Sequence, residues 1–328
     1  MPLPDIMKSR VRLPVIGAPL FIISNPALVL AQVTSGIVGA FPALNARPAE
    51  QLADWLDELQ EGIASHDQRN PDRPAAPFAV NQIVHRSNNR LEADLQMCVQ
   101  HKVPIVITSL GAVQEVNDAV HSYGGIVLHD VINNRFAHKA IEKGADGLIA
   151  VAAGAGGHAG QISPFALVQE IREWFAGPLF LSGAIATGKA ILAAQAMGAD
   201  GAYIGSPFIA TDEAQATEAH KQAIVDGHAA DIVNSSYFTG VSGNYLRASI
   251  IAAGMDPDHL PDADKSKMDF SATTAPGQAK AWKDIWGAGQ GIGAVDHIVP
   301  AADFIDRLAS EYRQARQDLC NQPFTPAG

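Results

Sequence analysis

Short runs rich in Val, Ile, Leu and Ala recur along the chain, separated by longer stretches in which apolar residues return every three or four positions. The first pattern fits strands buried on both faces, and the second fits amphipathic helices. Eight such runs follow one another: PVIGAPLF, GIVGAFPAL, PFAVNQI, PIVITSLG, GIVLHDV, GLIAVAAG, PLFLSGAI and GAYIGSPFI. Between them PAEQLADWLDELQEGIA, NRLEADLQMCVQH, AVQEVNDAVHSYG and NRFAHKAIEKG carry helical spacing, with Gly, Pro or a basic residue near the end. Eight is the number that closes a (β/α)8 TIM barrel, an α/β fold that places its chemistry at the C-terminal ends of the strands. An open, doubly wound sheet is the other architecture compatible with this alternation.

After PFIATDEAQ the repeat stops. EAHKQAIVDGHAADI and NYLRASIIAAGM keep some helical periodicity, and DPDHLPDADKSKMDFSATTAPGQAK is mostly polar. The pattern therefore predicts a barrel over residues 1–212 and 281–328 with a small inserted helical domain at 213–280. AADFIDRLASEYRQARQDL reads as the closing helix on the barrel exterior. An insertion that follows the last strand lies beside the mouth and suits a lid.

Composition narrows the function classes. With 328 residues, 47% hydrophobic and 17% charged, the chain has ample material for a packed core. The net charge of −11 and the lack of Lys/Arg clusters argue against nucleic acid or an anionic membrane as partner. Cys98 and Cys320 are too few for a disulfide framework or a thiolate metal site. The start, MPLPDIMKSRVRLP, lacks an export-type apolar segment, and no run is long enough to cross a bilayer, so a cytoplasmic location is expected. The eleven histidines show no H-E-x-x-H spacing, and no metal is expected.

Candidate chemistry gathers at the predicted strand ends. Ser182, Gly183 and Ala184 close the seventh run, and Gly205 and Ser206 close the eighth. Loops after the last two strands of such a barrel form a recurring phosphate site. The sixth run ends in AAGAGGHAGQ, where Gly157 and neighbouring glycines allow close backbone approach to a flat ring and His158 is the one reactive side chain. At the first strand Ala18, Pro19 and Leu20 also suit close approach, and Asn81 on the third could offer a donor and an acceptor to a heterocycle. His129 and Asp130 end the fifth strand, facing opposite sides.

The order GAPLF, AVN, AGGHAG, SGAIATG and GSPFIAT resembles the nitronate monooxygenase (2-nitropropane dioxygenase) family over essentially the whole chain. The resemblance implies FMN at the barrel mouth, its phosphate held by Ser182, Gly183, Ala184, Gly205 and Ser206. It places Ala18, Pro19, Leu20, Asn81 and Gly157 along the ring and makes His158 the catalytic residue. The implied substrates are an alkyl nitronate or nitroalkane, of the propionate 3-nitronate type, and dioxygen. FMN-dependent NAD(P)H reductases of quinones or enoyl groups share the scaffold and the histidine loop, and a catalytically silent flavin-binding barrel is a further alternative. Two features depart from related enzymes: Trp286 and Gln290 stand where many bacterial members carry tyrosines and a lysine, and Asp130 replaces a lysine found in quinone reductases. Tyr237, Phe238, Tyr245 and Trp286 are candidates to close over the ring.

Overall fold

In the computed structural model, which describes residues 3–261 and 283–321, eight parallel strands form one sheet. They are β1 (Val15–Gly17), β2 (Gly39–Pro42), β3 (Phe78–Ile83), β4 (Ile105–Ser109), β5 (Ile126–Val131), β6 (Gly147–Val151), β8 (Leu179–Ser182) and β9 (Gly201–Ile204). A two-residue strand, β7 (Gly157–His158), lies outside that sheet. The sheet runs β1-β9-β8-β6-β5-β4-β3-β2 and closes where Val38 N–H donates to the Val15 carbonyl and Gly17 N–H to the Val38 carbonyl. Closure makes this a TIM barrel and sets the open sheet aside. Each of the eight apolar runs contains one of its strands.

Alternate residues divide the core in two. Val15, Val80, Val106, Val127, Leu148, Leu181 and Ala202 pack toward the helices, while Ile16, Ala79, Ile107, Leu128, Ile149, Phe180 and Tyr203 fill the lumen. The first helix, α1 (Asp5–Lys8), lays Met7 into this inner cluster at the N-terminal end. Outside run α2 (Pro26–Thr34), α3 (Gln51–Arg69), α4 (Leu91–Gln100), α5 (Gln114–His121), α6 (Asn134–Glu142), α7 (Pro164–Arg172) and α8 (Gly188–Ala196). Toward the C-terminal strand ends the inward positions turn polar: Asn81, Ser109, Asp130 and Ser182.

The chain leaves the barrel after α9 (Ser206–Ile209) and returns at α12 (Ala301–Cys320), which packs against α8 and α2. Thr211 and Val299 are bridged in parallel, and Glu213 Oε2 accepts from Ala301 N–H at 2.9 Å, so departure and return lie side by side. The return thus comes at Val299, later than the 281 read from the sequence. The insertion is not purely helical either. Between α10 (Glu218–Asp226) and α11 (Arg247–Ala252) it carries β10 (Ile232–Ser235) and β11 (Gly243–Leu246), which join β7 in a three-stranded antiparallel sheet. NYLRASIIAAGM therefore starts as strand, because pairing with distant partners overrides its local helical spacing. Residues 262–280 of the expected insertion lie outside the described residues.

Candidate active site

Four loops meet at the C-terminal end of the barrel, and small residues stand where they touch. A Cβ on Gly205 would stand 3.4 Å from Ala18 Cβ and 3.3 Å from Leu20 Cδ2; one on Gly183 would stand 2.8 Å from the Ala153 carbonyl oxygen. At Gly154 it would meet Ala184 Cβ at 3.3 Å, and at Gly156 it would meet Ser206 Oγ at 3.0 Å. The ends of β1, β6, β8 and β9 are thus in mutual contact. Ala18 N–H donates to the Ile204 carbonyl at 2.7 Å and Ala184 N–H to the Gly154 carbonyl at 3.2 Å, so Ala184 spends its donor within the protein. Ala18, Pro19, Leu20, Gly157, His158, Ser182, Gly183, Ala184, Gly205 and Ser206 all keep some exposure above strands whose own side chains are sealed.

The backbone here is held in costly conformations. Ile22, Leu110 and Ala184 have φ of 59°, 62° and 54°, in loops that follow β1, β4 and β8. Such angles cost non-glycine residues about 1–2 kcal/mol each and persist only where surroundings enforce them. Asn45 supplies that enforcement after β1: its Oδ1 accepts from Ile22 N–H at 2.8 Å, and its Nδ2 donates to the Leu20 and Ser24 carbonyls at 2.9 and 2.8 Å.

A glycine-rich run holds its histidine in place by borrowing order from the insertion. His158 and Gly157 pair with Gly243 and Asn244 of β11, and Asn244 Nδ2 donates to the Ala155 carbonyl at 2.6 Å. His158 Nε2 lies 3.0 Å from Thr239 Oγ1. Burial pushes the imidazole down to about 4, so it is neutral at pH 7. Gln290 completes the loop's support, its N–H donating to the Gly154 carbonyl at 2.9 Å.

The upper lumen holds a hydrogen-bonded chain. Asn81 Nδ2 donates to the Ile107 carbonyl at 3.1 Å and to Ser109 Oγ at 2.8 Å, and Ser109 Oγ donates to Asp130 Oδ2 at 2.6 Å. Both amide hydrogens of Asn81 are therefore engaged, and the expected donor to a ligand is reduced to the Oδ1 acceptor. His129 faces the helices instead, with Nδ1 2.6 Å from Thr108 Oγ1. The aromatic candidates separate: Tyr245 is fully buried against Phe238, Trp286 stacks on His220 at 4.7 Å, and Tyr237 is exposed. Asn45, Ser109, Thr239 and Asn244 were not singled out from the sequence. Only Ser109, at the end of the fourth run, carried a positional signal. Among the described residues no group of three or more His, Cys, Asp or Glu is placed to hold a metal ion, and no helix is long and apolar enough to cross a membrane.

The nitronate monooxygenase family model matches residues 30–311. A nitronate monooxygenase of Paraburkholderia phytofirmans is 26% identical over 351 aligned positions, covering 93% of this chain and 94% of that one. Among solved structures, a nitroalkane oxidase from Streptomyces ansochromogenes superposes with a TM-score of 0.79 at 24% identity, over 94% of this chain and 98% of the other. FabK from Thermotoga maritima gives 0.72 at 21% identity, over 96% and 97%. With more than four-fifths of its length inside the family match, the chain belongs to the nitronate monooxygenase family and is an oxidoreductase.

Proposed function

We propose that the chain is an FMN-dependent nitronate monooxygenase that oxidises alkyl nitronates of the propionate 3-nitronate type with dioxygen, His158 being its catalytic residue. The observation that supports this reading is the meeting of four side-chain-poor loops at the barrel mouth, one of which carries His158. Gly156, Gly183 and Gly205 let the loops approach one another closely and keep side chains out of the mouth. Ser182, Gly183, Gly205 and Ser206 would hold the phosphate through backbone N–H groups and hydroxyls, with Ala184 shaping the turn. Ala18, Pro19, Leu20 and Gly157 would flank the ring, and Asn81 Oδ1 would accept from its edge. Bound FMN would supply the two-electron chemistry that side chains lack.

His158 works as a neutral group in this reading. Burial removes the charged form, so the imidazole accepts the proton next to a nitro group or donates N–H to a nitronate oxygen. Thr239 fixes the ring plane, and through it the insertion takes part in catalysis. Both cysteines are free, Cys98 buried with its thiol pushed up to about 12, which accords with a reducing cytoplasm. The test is anaerobic mixing of the flavin-loaded protein with propionate 3-nitronate, NADH or NADPH, followed by air. Bleaching by the nitronate and recovery in air is the expected result. Bleaching by NADH or NADPH alone would assign the site to reductase chemistry.

A further inference from the structure

Asp130 has no role in that reading, yet its surroundings are unusual. It follows Leu128 on the lumen side of β5, level with Ile149 of β6. Ser109 fixes its Oδ2, and Asn81 in turn fixes Ser109. Its Oδ1 is sealed from solvent and has no hydrogen-bond partner. No Lys or Arg is paired with it among the described residues.

The other groups packed around it are neutral. Tyr203 of β9 is a phenol that burial and the Asp130 carboxyl both push well above its ordinary value. His129, on the opposite face of β5, is pushed down to about 4 by burial and by Lys139. β4 presents Ser109, β6 presents Ile149 and Val151, and β8 presents Ser182. A carboxylate enclosed with one neutral donor is costly, and the uncharged acid is favoured. Burial accordingly raises Asp130 to about 7, against the opposing pull of the Ser109 hydrogen bond. Because Oδ2 is occupied as an acceptor, the proton belongs on Oδ1.

We propose that Asp130 is a further ligand-binding residue of the mouth, an uncharged carboxyl whose Oδ1 proton is offered to the bound ring, so that FMN binds best while that proton is in place. This rests on the flavin reading above.

The experiment titrates FMN into the apoprotein between about pH 6 and pH 8, following quenching of flavin fluorescence, for the wild type, Asp130→Asn and Ser109→Ala. Titration of the FMN phosphate is common to all three and cancels in their ratios. For a group titrating near 7, linkage makes wild-type affinity fall about tenfold relative to Asp130→Asn across this range, because the amide keeps an uncharged donor throughout. Ser109→Ala removes the bond that stabilises the anion and moves the fall to higher pH. That shift carries the test if the Asn variant does not fold. An Asp130→Asn protein with the wild-type pH profile overturns the role of Asp130 and leaves the flavin reading standing. A folded wild type that takes up no FMN at any pH overturns both.

Discussion

Asp200 and Asp130 sit at opposite ends of the barrel and are held in opposite ways. Asp200, between β8 and β9 at the N-terminal end, has a fully buried side chain that accepts from Arg172 Nη2 at 2.6 Å and from Leu179 N–H at 2.8 Å. Arg172 goes on to the carbonyls of Gly198, Phe175 and Gly177, so one ion pair ties two turns to the sheet. Asp130, at the C-terminal end, has a serine hydroxyl and nothing more. A carboxyl opposite a guanidinium gains an ion pair that staples the fold, whereas burial opposite a lone hydroxyl pushes Asp130 toward its uncharged form. The backbone repeats the contrast. Among the described residues, three of the four non-glycine residues with positive φ lie at the mouth, and Lys102 lies at the other end. One end of the barrel is tied down by an ion pair, and the other holds most of the strained backbone.

The largest effect expected is therefore on stability, at the closed end. Asp200→Ala leaves Arg172 enclosed without its anion and costs about 3–5 kcal/mol, measured by urea unfolding, with turnover per folded molecule unchanged. His158→Ala does the reverse: nitronate turnover falls by about 10²–10⁴-fold while bound flavin and the urea midpoint hold. A His158→Ala protein with full turnover ends its assignment as the catalytic residue. An Asp200→Ala protein that is stable yet inactive ends the division of labour between the two ends.

Acid sensitivity sharpens the comparison on a smaller scale. His129, on the outer face of β5, and His220, on α10 against Trp286, are both buried and pushed down to about 4, chiefly by desolvation. The folded protein keeps them neutral while the unfolded chain protonates them near the ordinary 6.5. Their stabilisation is complete above that pH and is lost as pH falls toward 4, by up to about 1.4 kcal/mol per pH unit for each ring. Asp130 has the opposite sign: its folded value is raised from 3.8 to about 7, so its contribution is present below 3.8 and is lost as pH rises through 7. Urea midpoints between pH 4.5 and 8 should thus rise less steeply between pH 4.5 and 6.5 in His220→Gln and more steeply over the same stretch in Asp130→Asn, which lacks the opposing fall between 3.8 and 7.

The barrel was legible because parallel strands buried on both faces leave uninterrupted apolar runs, and GIVLHDV even separates the outward His129 from the inward Asp130. Helices with one wet face, such as α3 and α12, were legible for the same kind of reason. By contrast α2 and α8, PALVLAQVT and GKAILAAQA, are apolar nearly all round, since each is covered by α12 as well as by the sheet, and so they lack a readable stripe. In the insertion, β11 could not be seen locally because part of its ladder is made with Gly157 and His158, far upstream. Around the mouth the glycines were readable, since close approach leaves no room for a Cβ. Asn45, Thr239 and Ser109 act through hydrogen bonds that exist only once distant segments meet, and no spacing announces them.

The smallest effect bears on strain itself. Lys102 and Ala184 both adopt the left-handed region, with φ of 47° and 54°. Lys102 is exposed just beyond α4, where its N–H donates to the Val99 carbonyl. Glycine there removes the Cβ penalty of a helix C-terminal turn, and Lys102→Gly should gain up to about 1 kcal/mol in thermal or urea unfolding. At Ala184 the same relief is opposed by loss of the methyl group that lies against Gly154, beyond the added freedom of glycine in the unfolded chain that both substitutions bring. Ala184→Gly should therefore change stability by less than about 0.5 kcal/mol while weakening FMN binding, because the turn that carries Gly183 loses its fixed shape. Equal gains in stability at the two positions, with flavin affinity untouched, would show that strain at the mouth is ordinary turn geometry with no share in holding a ligand.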